Sequence, residues 1–301
     1  MKTPPLLRTT GALAMAGTLV LALGACSSQT PTEETTPESV EESTEQSAQE
    51  PSTKELVVDA ATAVFTDRDL DAIDEYFSPD YVQHSTLAAD GVEGLRAMVQ
   101  SPPADFRYEP ARVIAQDDTV VLHGTYYGFA ETPLVAFDVF HVEDQQIVEH
   151  WDSLTPLVEE TASGRSQVDG PTEPADTADT DANAELVSRF TEQVLVGQDY
   201  DALPEFISTD SYAQHNPEAA DGLDGFAAAS AAWAAEGKNL VYTTVHQVIA
   251  EGDLVFTYSE GDFGGPAIYA DLWRVQDGKI VEHWDAISPI PAEMPHDNGA
   301  F

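Results

Sequence analysis

The feature that most constrains this chain is an internal duplication. The segment Tyr81–His84 has a counterpart in Tyr212–His215, and both read Tyr-x-Gln-His followed by an Asp-Gly-x-x-Gly motif. Further along, Ile-Val-Glu-His-Trp-Asp occurs at 147–152 and again at 280–285. Motifs of uncommon residues that recur in the same order at nearly constant spacing indicate a repeated unit. With only two copies, each with its own apolar content, the sequence predicts two domains rather than a solenoid.

Two polar segments set the boundaries of the repeats. Residues 27–54 consist largely of Ser, Thr, Pro, Gln and Glu, and such a composition cannot bury enough surface to offset the entropy of ordering. Residues 159–183 have the same character. We therefore predict a disordered acidic tether at 27–54 and a similar acidic linker at 159–183. The domains then span 55–158 and 184–292, each of a typical domain size, and a short tail, 293–301, follows them.

The N-terminus has the layout of a secretory signal peptide. Lys2 and Arg8 precede an apolar run that ends in Leu23-Gly24-Ala25-Cys26. The run is too short for a transmembrane helix. Its last four residues resemble the lipobox of bacterial lipoproteins, in which the cysteine is lipidated. We expect residues 1–26 to be a signal peptide and Cys26 to anchor an exported protein to the cell membrane, facing outside the cytoplasm. An ordinary signal peptide with a chance cysteine is the alternative.

Charge and cysteine content exclude several functions. The chain has 54 acidic against 12 basic residues, a formal net charge of −42. Nucleic-acid binding needs basic surface, so we expect no nucleic-acid partner. Cys26 is the only cysteine, which leaves the mature protein without a disulfide or a thiol nucleophile. Because no His-x-His or His-x-x-x-His pair occurs, we also predict no metal site, and no feature of the sequence calls for a cofactor.

Each repeat reads as helices followed by strands. In the second repeat, apolar residues at 186, 187, 190 and 194 form a helical stripe. A short helix at 201–206 and an Ala-rich helix after Gly225 follow. Runs rich in Val, Ile, Phe and Tyr at 240–250, 253–260, 267–276 and 279–286 predict antiparallel strands. Helices before an antiparallel sheet make an α+β domain.

The last two strands meet at Asp277-Gly278, which is typical of a two-residue hairpin turn. With these residues as the loop, simple alternation places Trp273 opposite Glu282 and Asp271 opposite Trp284. The predicted buried face carries Asp271, Trp273, Val275, Ile280, Glu282 and Trp284. The same register, with Asp144-Gln145 as the turn, groups Asp138, Phe140, Val142, Ile147, Glu149 and Trp151 in the first repeat.

The motifs at Tyr212–Pro217, Asp221–Gly225, Asp271–Arg274 and Asp277–Asp285 resemble the SnoaL-like polyketide cyclase family, part of the nuclear transport factor 2-like superfamily. The resemblance extends over both repeats. It implies two tandem cone-shaped domains, each a curved sheet wrapped around helices and a pocket. Characterised enzymes of this type close a polyketide ring by aldol chemistry without cofactor or metal, while many relatives only bind ligands. The resemblance also implies that small domains of this type pair, so we expect an internal pseudo-dimer.

Aldol-type chemistry needs a base and a hydrogen-bond donor, and a carboxyl group in an apolar pocket suits either role. We predict Asp271 and Asp138 as acid/base residues, with His215 and His84 as their polar partners at the pocket mouth. Glu282 and Glu149 are further ligand-binding candidates that could instead accept hydrogen bonds from loop backbone. The remaining predicted ligand-binding residues are Trp273, Trp284, Tyr212, Asn216, Phe140, Trp151 and His123. His150 and His283 fall on the opposite face and are expected at the surface or at a domain contact.

Two functions follow. The first is a non-catalytic exported protein whose pockets bind a small, mostly apolar molecule. The second is a cofactor-free enzyme that carries out aldol cyclisation, isomerisation or hydration of a small carbonyl compound. The predicted export favours binding, because polyketide cyclisation uses cytoplasmic intermediates.

Overall fold

The computed structural model describes residues 51–100 and 105–301. The predicted signal peptide, Cys26 and most of the tether lie outside these residues. Within them, no helix is long and apolar enough to cross a membrane. Both repeats belong to one compact unit that begins at Gln49.

The first repeat (domain 1) starts with a helix whose N-terminus is fixed by a capping box between Ser52 and Glu55. A π-helical turn, Thr62–Thr66, continues this helix. The elements of domain 1 are α1 Thr53–Ala61, α2 Asp71–Tyr76, β1 Phe77–Gln83, α3 Gly91–Gln100, β2 Arg107–Gln116, β3 Thr119–Tyr127, β4 Leu134–Glu143 and β5 Gln146–Pro156.

The second repeat (domain 2) has the same order of elements, with a π-helical turn at Thr191–Val196 and a 3₁₀ turn at Tyr200–Ala202. Asp179 caps the first helix by accepting a hydrogen bond from the Ala182 backbone N–H. The elements are α4 Thr180–Phe190, α5 Leu203–Phe206, β6 Ala213–Gln214, α6 Gly222–Ala235, β7 Val241–Glu251, β8 Leu254–Asp262, β9 Pro266–Gln276 and β10 Lys279–Pro289.

Each domain contains one five-stranded sheet, in the order β1-β5-β4-β3-β2 or β6-β10-β9-β8-β7. Four predicted strands of domain 2 are present as β7 to β10, and the α+β fold class is confirmed. The sheets are mixed rather than purely antiparallel, because β1 and β6 pair in parallel with the last strand of their domain. These two strands carry the Tyr-x-Gln-His motif, which therefore lies beside the final hairpin.

The hairpin turn forms as predicted, but the register beyond it does not. Asp277 and Gly278 have φ angles of 51° and 71°, as a two-residue turn of this type requires. Ile280 then pairs with Val275, but the next pair is Glu282 with Arg274. Val281 is thus the extra residue of a β-bulge. The bulge shifts the pairing by one residue, so the predicted grouping of Asp271 with Glu282 and Trp284 is wrong.

Because side chains alternate along a strand, this shift exchanges the two faces of β10 relative to β9. The face that meets the helices of the domain, here called the inner face, carries Asp271, Trp273, His283 and Asp285. The opposite, outer face carries Leu272, Arg274, Glu282 and Trp284. Domain 1 has the same irregularity, since His141 pairs with Glu149 where Val142 pairs with Ile147. Its predicted grouping of Asp138 with Glu149 and Trp151 is wrong for the same reason.

The structure contains a hydrophobic core in each domain and a further one between the domains. The first two lie between the helices and the inner face of each sheet. The third joins the outer faces of the two sheets, where the rings of Phe137 and Phe256 lie 5.4 Å apart. Polar contacts accompany it: the Tyr258 hydroxyl donates to the Asp152 carbonyl at 3.0 Å, and the Ser153 hydroxyl donates to the Ala286 carbonyl at 2.8 Å.

The linker between the domains has few regular elements but makes specific contacts. The buried Arg112 of β2 donates to the carbonyl oxygens of Asp169 at 2.8 Å and Pro171 at 3.0 Å. Arg165 forms an ion pair with Asp221. The linker, which the sequence predicts to be disordered, thus lies in contact with both domains, through Arg112 and through the Arg165–Asp221 pair.

Candidate functional site

Each domain has a small cavity between its helices and the inner face of its sheet. The cavity of domain 1 has a volume of about 40 Å³, and the apolar part of its wall includes Phe65, Leu95, Met98, Phe106, Phe129 and Phe140. The cavity of domain 2 has a volume of about 20 Å³, and its apolar wall includes Phe190, Leu195, Phe226, Trp233 and Trp273.

A cluster of two carboxyl groups and one imidazole lies at the inner face in both domains. Its members are Asp271, His283 and Asp285 in domain 2, and Asp138, His150 and Asp152 in domain 1. All six are at most 7% exposed. The final hairpin positions them, because Asp271 and Asp285 are directly paired across β9 and β10, and Asp138 and Asp152 across β4 and β5.

A glutamine of the Tyr-x-Gln-His motif determines which nitrogen of the histidine carries its proton. The Gln214 side-chain oxygen accepts a hydrogen bond from the Asn216 backbone N–H at 2.9 Å. The same oxygen lies 3.1 Å from Nδ1 of His283. Because a backbone N–H can only donate, the Gln214 oxygen is the acceptor in both contacts, and Nδ1 of His283 must be the donor. In the neutral ring, Nε2 is then a bare acceptor.

This assignment places a proton on Asp271. Nε2 of His283 lies 3.0 Å from Oδ1 of Asp271, and a hydrogen bond to a bare nitrogen requires a donor on the aspartate. Burial raises the pKa of Asp271 to about 8, and burial lowers the pKa of His283 to about 4. Both shifts favour a neutral aspartic acid beside a neutral imidazole near pH 7.

Further contacts hold this arrangement in domain 2. The Tyr242 hydroxyl lies 3.1 Å from one Asp271 oxygen, and the Trp273 indole stacks on the His283 ring with centroids 3.9 Å apart. Asp285 accepts a hydrogen bond from the Asn216 amide at 2.8 Å. Burial raises the pKa of Asp285 to about 6, and the hydrogen bond from Asn216 acts in the opposite direction.

Domain 1 repeats the pattern with longer contacts at the aspartate. The Gln83 oxygen accepts from the Ser85 backbone N–H and from His150 Nδ1, both at 2.9 Å. His150 Nε2 lies 3.3 Å from Asp138, and the Tyr126 hydroxyl is also 3.3 Å from it. Burial raises the pKa of Asp152 to about 6.

Six of the predicted residues belong to this inner region. Asp138 and Phe140 line the cavity of domain 1. Tyr212, Asn216 and Trp273 line that of domain 2, and Asp271 contacts both His283 and Tyr242.

The predicted histidine partners lie on the other side of the sheet. His215 Nε2 is 2.9 Å from Glu282 Oε1, and its ring stacks on Trp284. His84 repeats this with Glu149 at 2.8 Å and Trp151. The predicted pairing of His215 with Asp271 and of His84 with Asp138 is therefore wrong, because the bulge turns Glu282, Glu149 and both tryptophans to the outer face.

His123 also lies on the outer face. It is 1% exposed, stacks on Phe137 and contacts the guanidinium of Arg112 through Nδ1. Burial lowers the pKa of His123 well below its usual value, and the Arg112 charge adds to this effect. The structure places His123 beside the linker and not in the cavity.

The sequence interpretation missed the two imidazoles that face the aspartates, because it assigned His150 and His283 to the surface or a domain contact. It also gave no role to Gln83, Gln214, Tyr126 and Tyr242. One signal for the bulge was available: Arg274 and Glu282 form an ion pair at 2.6 Å only when they lie opposite each other. Opposite charges are favoured at facing positions of a sheet, so this pair indicated the shifted register.

The cluster also has the donor types of a divalent-cation site. The ligand atoms of its three residues lie within 4.8 Å of one another in both domains. A cation would need the lone pair of Nε2 and an ionised aspartate, and the hydrogen bond described above uses those same atoms. The two arrangements exclude each other within one domain, so a metal analysis of the purified protein distinguishes them.

Comparison with protein families agrees with this architecture. The family described as "SnoaL-like domain" matches residues 58–150 and 187–283, together more than half of the chain. Among curated proteins, none matches. The chain is similar to the solved structures of TsrD from Streptomyces laurentii (18% identity, TM-score 0.31, covering 36% of this chain and 91% of that one) and of a SnoaL-like polyketide cyclase from Agrobacterium tumefaciens (10% identity, TM-score 0.30, covering 35% and 92%). An NTF2-like protein of unknown function from Cytophaga hutchinsonii is 16% identical, with a TM-score of 0.31 and coverage of 36% and 94%. The chain belongs to the SnoaL-like domain family, with one copy of the domain in each half.

Proposed function

We propose that this protein is an exported, lipid-anchored binding protein whose domains take a small, mostly apolar ligand with a hydrogen-bond-accepting oxygen. One observation supports this above all others: in domain 1 the buried Asp138, His150 and Asp152 line a cavity whose remaining wall is largely aromatic and aliphatic. A protonated carboxyl group is a strong donor in such surroundings. A carbonyl oxygen of a ligand could accept this hydrogen bond in place of the histidine nitrogen, while the aromatic wall covers the apolar remainder.

Domain 1 is the better candidate for the binding domain. Its cavity is twice as large as that of domain 2 and is lined by Met98, Phe106 and Phe129. Met98 and Phe129 are only partly buried, and methionine adapts its shape readily. A volume of about 40 Å³ has room for little more than a few water molecules. The ligand must therefore be small, or these side chains must move apart to admit it.

The proposed cell-surface location rests on the first 26 residues. The lipobox-like sequence ends at Cys26, and the polar segment that follows would separate the domains from the membrane. Replacing Cys26 with Ser should release the protein from the membrane fraction into the medium. A variant that stays in the cytoplasm together with the unaltered protein would contradict export.

We also propose that the two domains act as an internal pseudo-dimer. The apolar outer faces of both sheets share one core, as paired copies of a single domain would.

Acid/base catalysis is the second candidate, and it is favoured by one feature of domain 2. A carboxyl group whose pKa is raised to about 8 can exchange a proton with substrate near neutral pH. The chemistry would be proton transfer next to a carbonyl group, with Asp271 as the acid or base and Tyr242 as a donor to the developing oxyanion.

The proposal is tested by native mass spectrometry of the full chain purified from its own host. We expect a retained small molecule that survives gentle transfer and is lost on denaturation. Leu154 lines the cavity of domain 1 and Ile287 occupies the matching position in domain 2. Leu154→Trp should displace a ligand held by domain 1, while Ile287→Trp serves as the matched control. If each of the three proteins shows only the mass of its own polypeptide, without bound material, retention of a ligand is refuted.

A further inference from the structure

The chain after each sheet crosses to the other domain and contacts the same loop there. This Gln-His loop comprises residues 81–85 in domain 1 and 212–216 in domain 2. The linker that follows β5 meets the loop of domain 2, where the Ala162 N–H donates to the Pro217 carbonyl at 2.8 Å, just beyond the loop. The tail that follows β10 meets the loop of domain 1, where His296 contacts the Ser85 carbonyl at 2.8 Å.

In domain 2, a cation from the linker holds the loop glutamine through an aspartate. Arg165 donates to both carboxylate oxygens of Asp221, at 2.9 and 3.0 Å. One of these oxygens accepts the backbone N–H of Gln214 at 2.9 Å. The guanidinium of Arg165 therefore orients the Asp221 carboxylate, and this carboxylate in turn holds the main chain of Gln214.

In domain 1, an amide from the tail takes the same place. Asn298 donates to Asp90 at 2.8 Å and to the Gln83 carbonyl at 3.0 Å. Asp90 accepts the backbone N–H of Gln83 at 3.0 Å. The two arrangements correspond position by position, although an arginine serves one domain and an asparagine the other.

The two domains also share a contact on the outer side of each loop. His215 Nδ1 lies 2.7 Å from the Ser166 carbonyl, and His84 Nδ1 lies 3.0 Å from the Gly299 carbonyl. Each crossing segment thus contacts the loop at two points. One contact acts on the backbone of the glutamine, and the other acts on the ring of the histidine that follows it. The glutamine is the residue whose side chain dictates the proton position on His283 or His150.

We propose that Arg165 and Asn298 are positioning residues that act across the domain boundary: Arg165 sets the orientation of Gln214 and hence the tautomer of His283, and Asn298 does the same for Gln83 and His150. Each pocket is then complete only when the other half of the chain is in place. The proposal rests on the proposed function only in taking the aspartate–histidine cluster as the working part of the pocket.

The test is histidine-selective ¹⁵N NMR of the full chain, with the rings assigned by His150→Gln and His283→Gln. In the unaltered protein, both rings should show a protonated Nδ1 and a bare Nε2. Arg165→Ala should move the two nitrogen resonances of His283 toward each other, as a mixture of tautomers forms, and leave His150 unchanged. Asn298→Ala should move the two nitrogen resonances of His150 toward each other and leave His283 unchanged.

Two conservative variants separate positioning from general loosening. Arg165→Lys keeps the charge without the two-pronged contact and should restore part of the His283 pattern. Asn298→Asp places a second carboxylate against Asp90 and should disturb His150 more than alanine does. Because the Arg165–Asp221 pair is partly exposed, it contributes little to stability, so the melting temperatures of Arg165→Ala and Arg165→Lys should stay close to that of the unaltered protein.

The proposal is overturned if neither ring responds to its own variant, or if each variant alters both rings equally. It is independent of ligand binding in its readout. If the rings respond as expected in a protein that retains no ligand, the inference stands and the proposed function is weakened. If the protein retains a ligand but the rings do not respond, the proposed function stands and the inference is refuted.

Discussion

The two domains share one hydrogen-bond pattern but enclose it to different degrees. In domain 2 the aspartate–histidine contact is 3.0 Å and Asp271 is fully buried, whereas in domain 1 the corresponding contact is 3.3 Å and the cavity is twice as large. Trp273 covers the histidine of domain 2, while the smaller Phe140 covers that of domain 1. Burial raises the pKa of Asp271 in the more tightly packed domain 2, whereas the looser packing of domain 1 leaves more room for a ligand.

The outer face of domain 2 is also more completely buried than the outer face of domain 1. Trp284 is fully buried, donates to the Asp169 carbonyl at 2.9 Å and lies under the guanidinium of Arg112. Trp151 is only partly buried, and its indole N–H has no hydrogen-bond partner among the described residues. Glu282 is 5% exposed and paired with Arg274, whereas Glu149 is 33% exposed. A duplicated domain can thus keep its polar core while one copy becomes the more rigid partner.

The largest difference should appear when the outer tryptophans are removed. Trp284→Ala should lower the free energy of unfolding by about 4 kcal/mol, because it leaves a cavity and an uncovered cation. Trp151→Ala should cost about 2 kcal/mol, since this side chain is already partly solvated. Denaturant unfolding of both variants measures the difference. Equal losses would show that the two outer faces are energetically alike.

The next effect concerns Asp271 and pH. Its pKa is raised from 3.8 to about 8 by burial, so the folded protein holds this proton more tightly than the unfolded chain. The stabilising effect is complete below about pH 4 and is lost as the pH rises toward 8. Asp271→Asn cannot ionise, so the unaltered protein should lose a few kcal/mol relative to it over that interval.

Thermal unfolding of both proteins between about pH 6.5 and 8 avoids the titration of His283, whose folded-state pKa is about 4. Asp138→Asn gives the matched comparison in domain 1. A stability difference that stays constant with pH would mean that Asp271 is ionised in the folded protein.

A smaller effect should follow from Asn216, which donates to Asp285 at 2.8 Å. Burial raises the pKa of Asp285, and this hydrogen bond lowers it. Asn216→Ala should therefore raise the pKa further, by about one unit, which corresponds to about 1.4 kcal/mol. Carboxyl-carbon NMR of Asp285 measures the change, and Glu218→Ala, two residues further along the chain, is a control. A lowered pKa would contradict this role for Asn216.

The smallest expected effect lies at the hairpin turns. Domain 1 has Asp144 and Gln145 with φ of 48° and 62°, whereas domain 2 has Asp277 and Gly278 at 51° and 71°. Glycine adopts positive φ without strain. Gln145→Gly should stabilise the protein by about 0.5 to 1 kcal/mol, and Gly278→Gln should destabilise it by a similar amount. Opposite signs in chemical denaturation are the expected result, and two changes of the same sign would refute the strain argument.

Much of the fold followed from local patterns. The recurrence of Tyr-x-Gln-His and of the Ile-Val-Glu-His-Trp-Asp motif predicted two domains, and the alternation at 240–286 predicted strands that the structure contains. The Asp277-Gly278 turn was also correctly placed. Such features depend on residues that are close in sequence, so they can be recognised without knowing what packs against them.

The site required information that is not local. Asp138 and Asp271 were chosen for the pocket and lie on the inner face, but their histidines were assigned to the wrong side. One extra residue, Val281 in domain 2, changes the partner of every later residue in its strand. The energy of that bulge depends on cross-strand pairs and on the packing of both faces of the sheet. The residue pattern of a single strand therefore does not predict the bulge.

The sequence by itself determined the duplication, the order of helices and strands and the position of the final turn, because propensity, periodicity and turn chemistry are properties of short segments. Only the tertiary structure decided which histidine meets which aspartate and how linker and tail cross between the domains. Those contacts join residues far apart in the chain, and their geometry is fixed when the sheets, the helices and the other domain pack together.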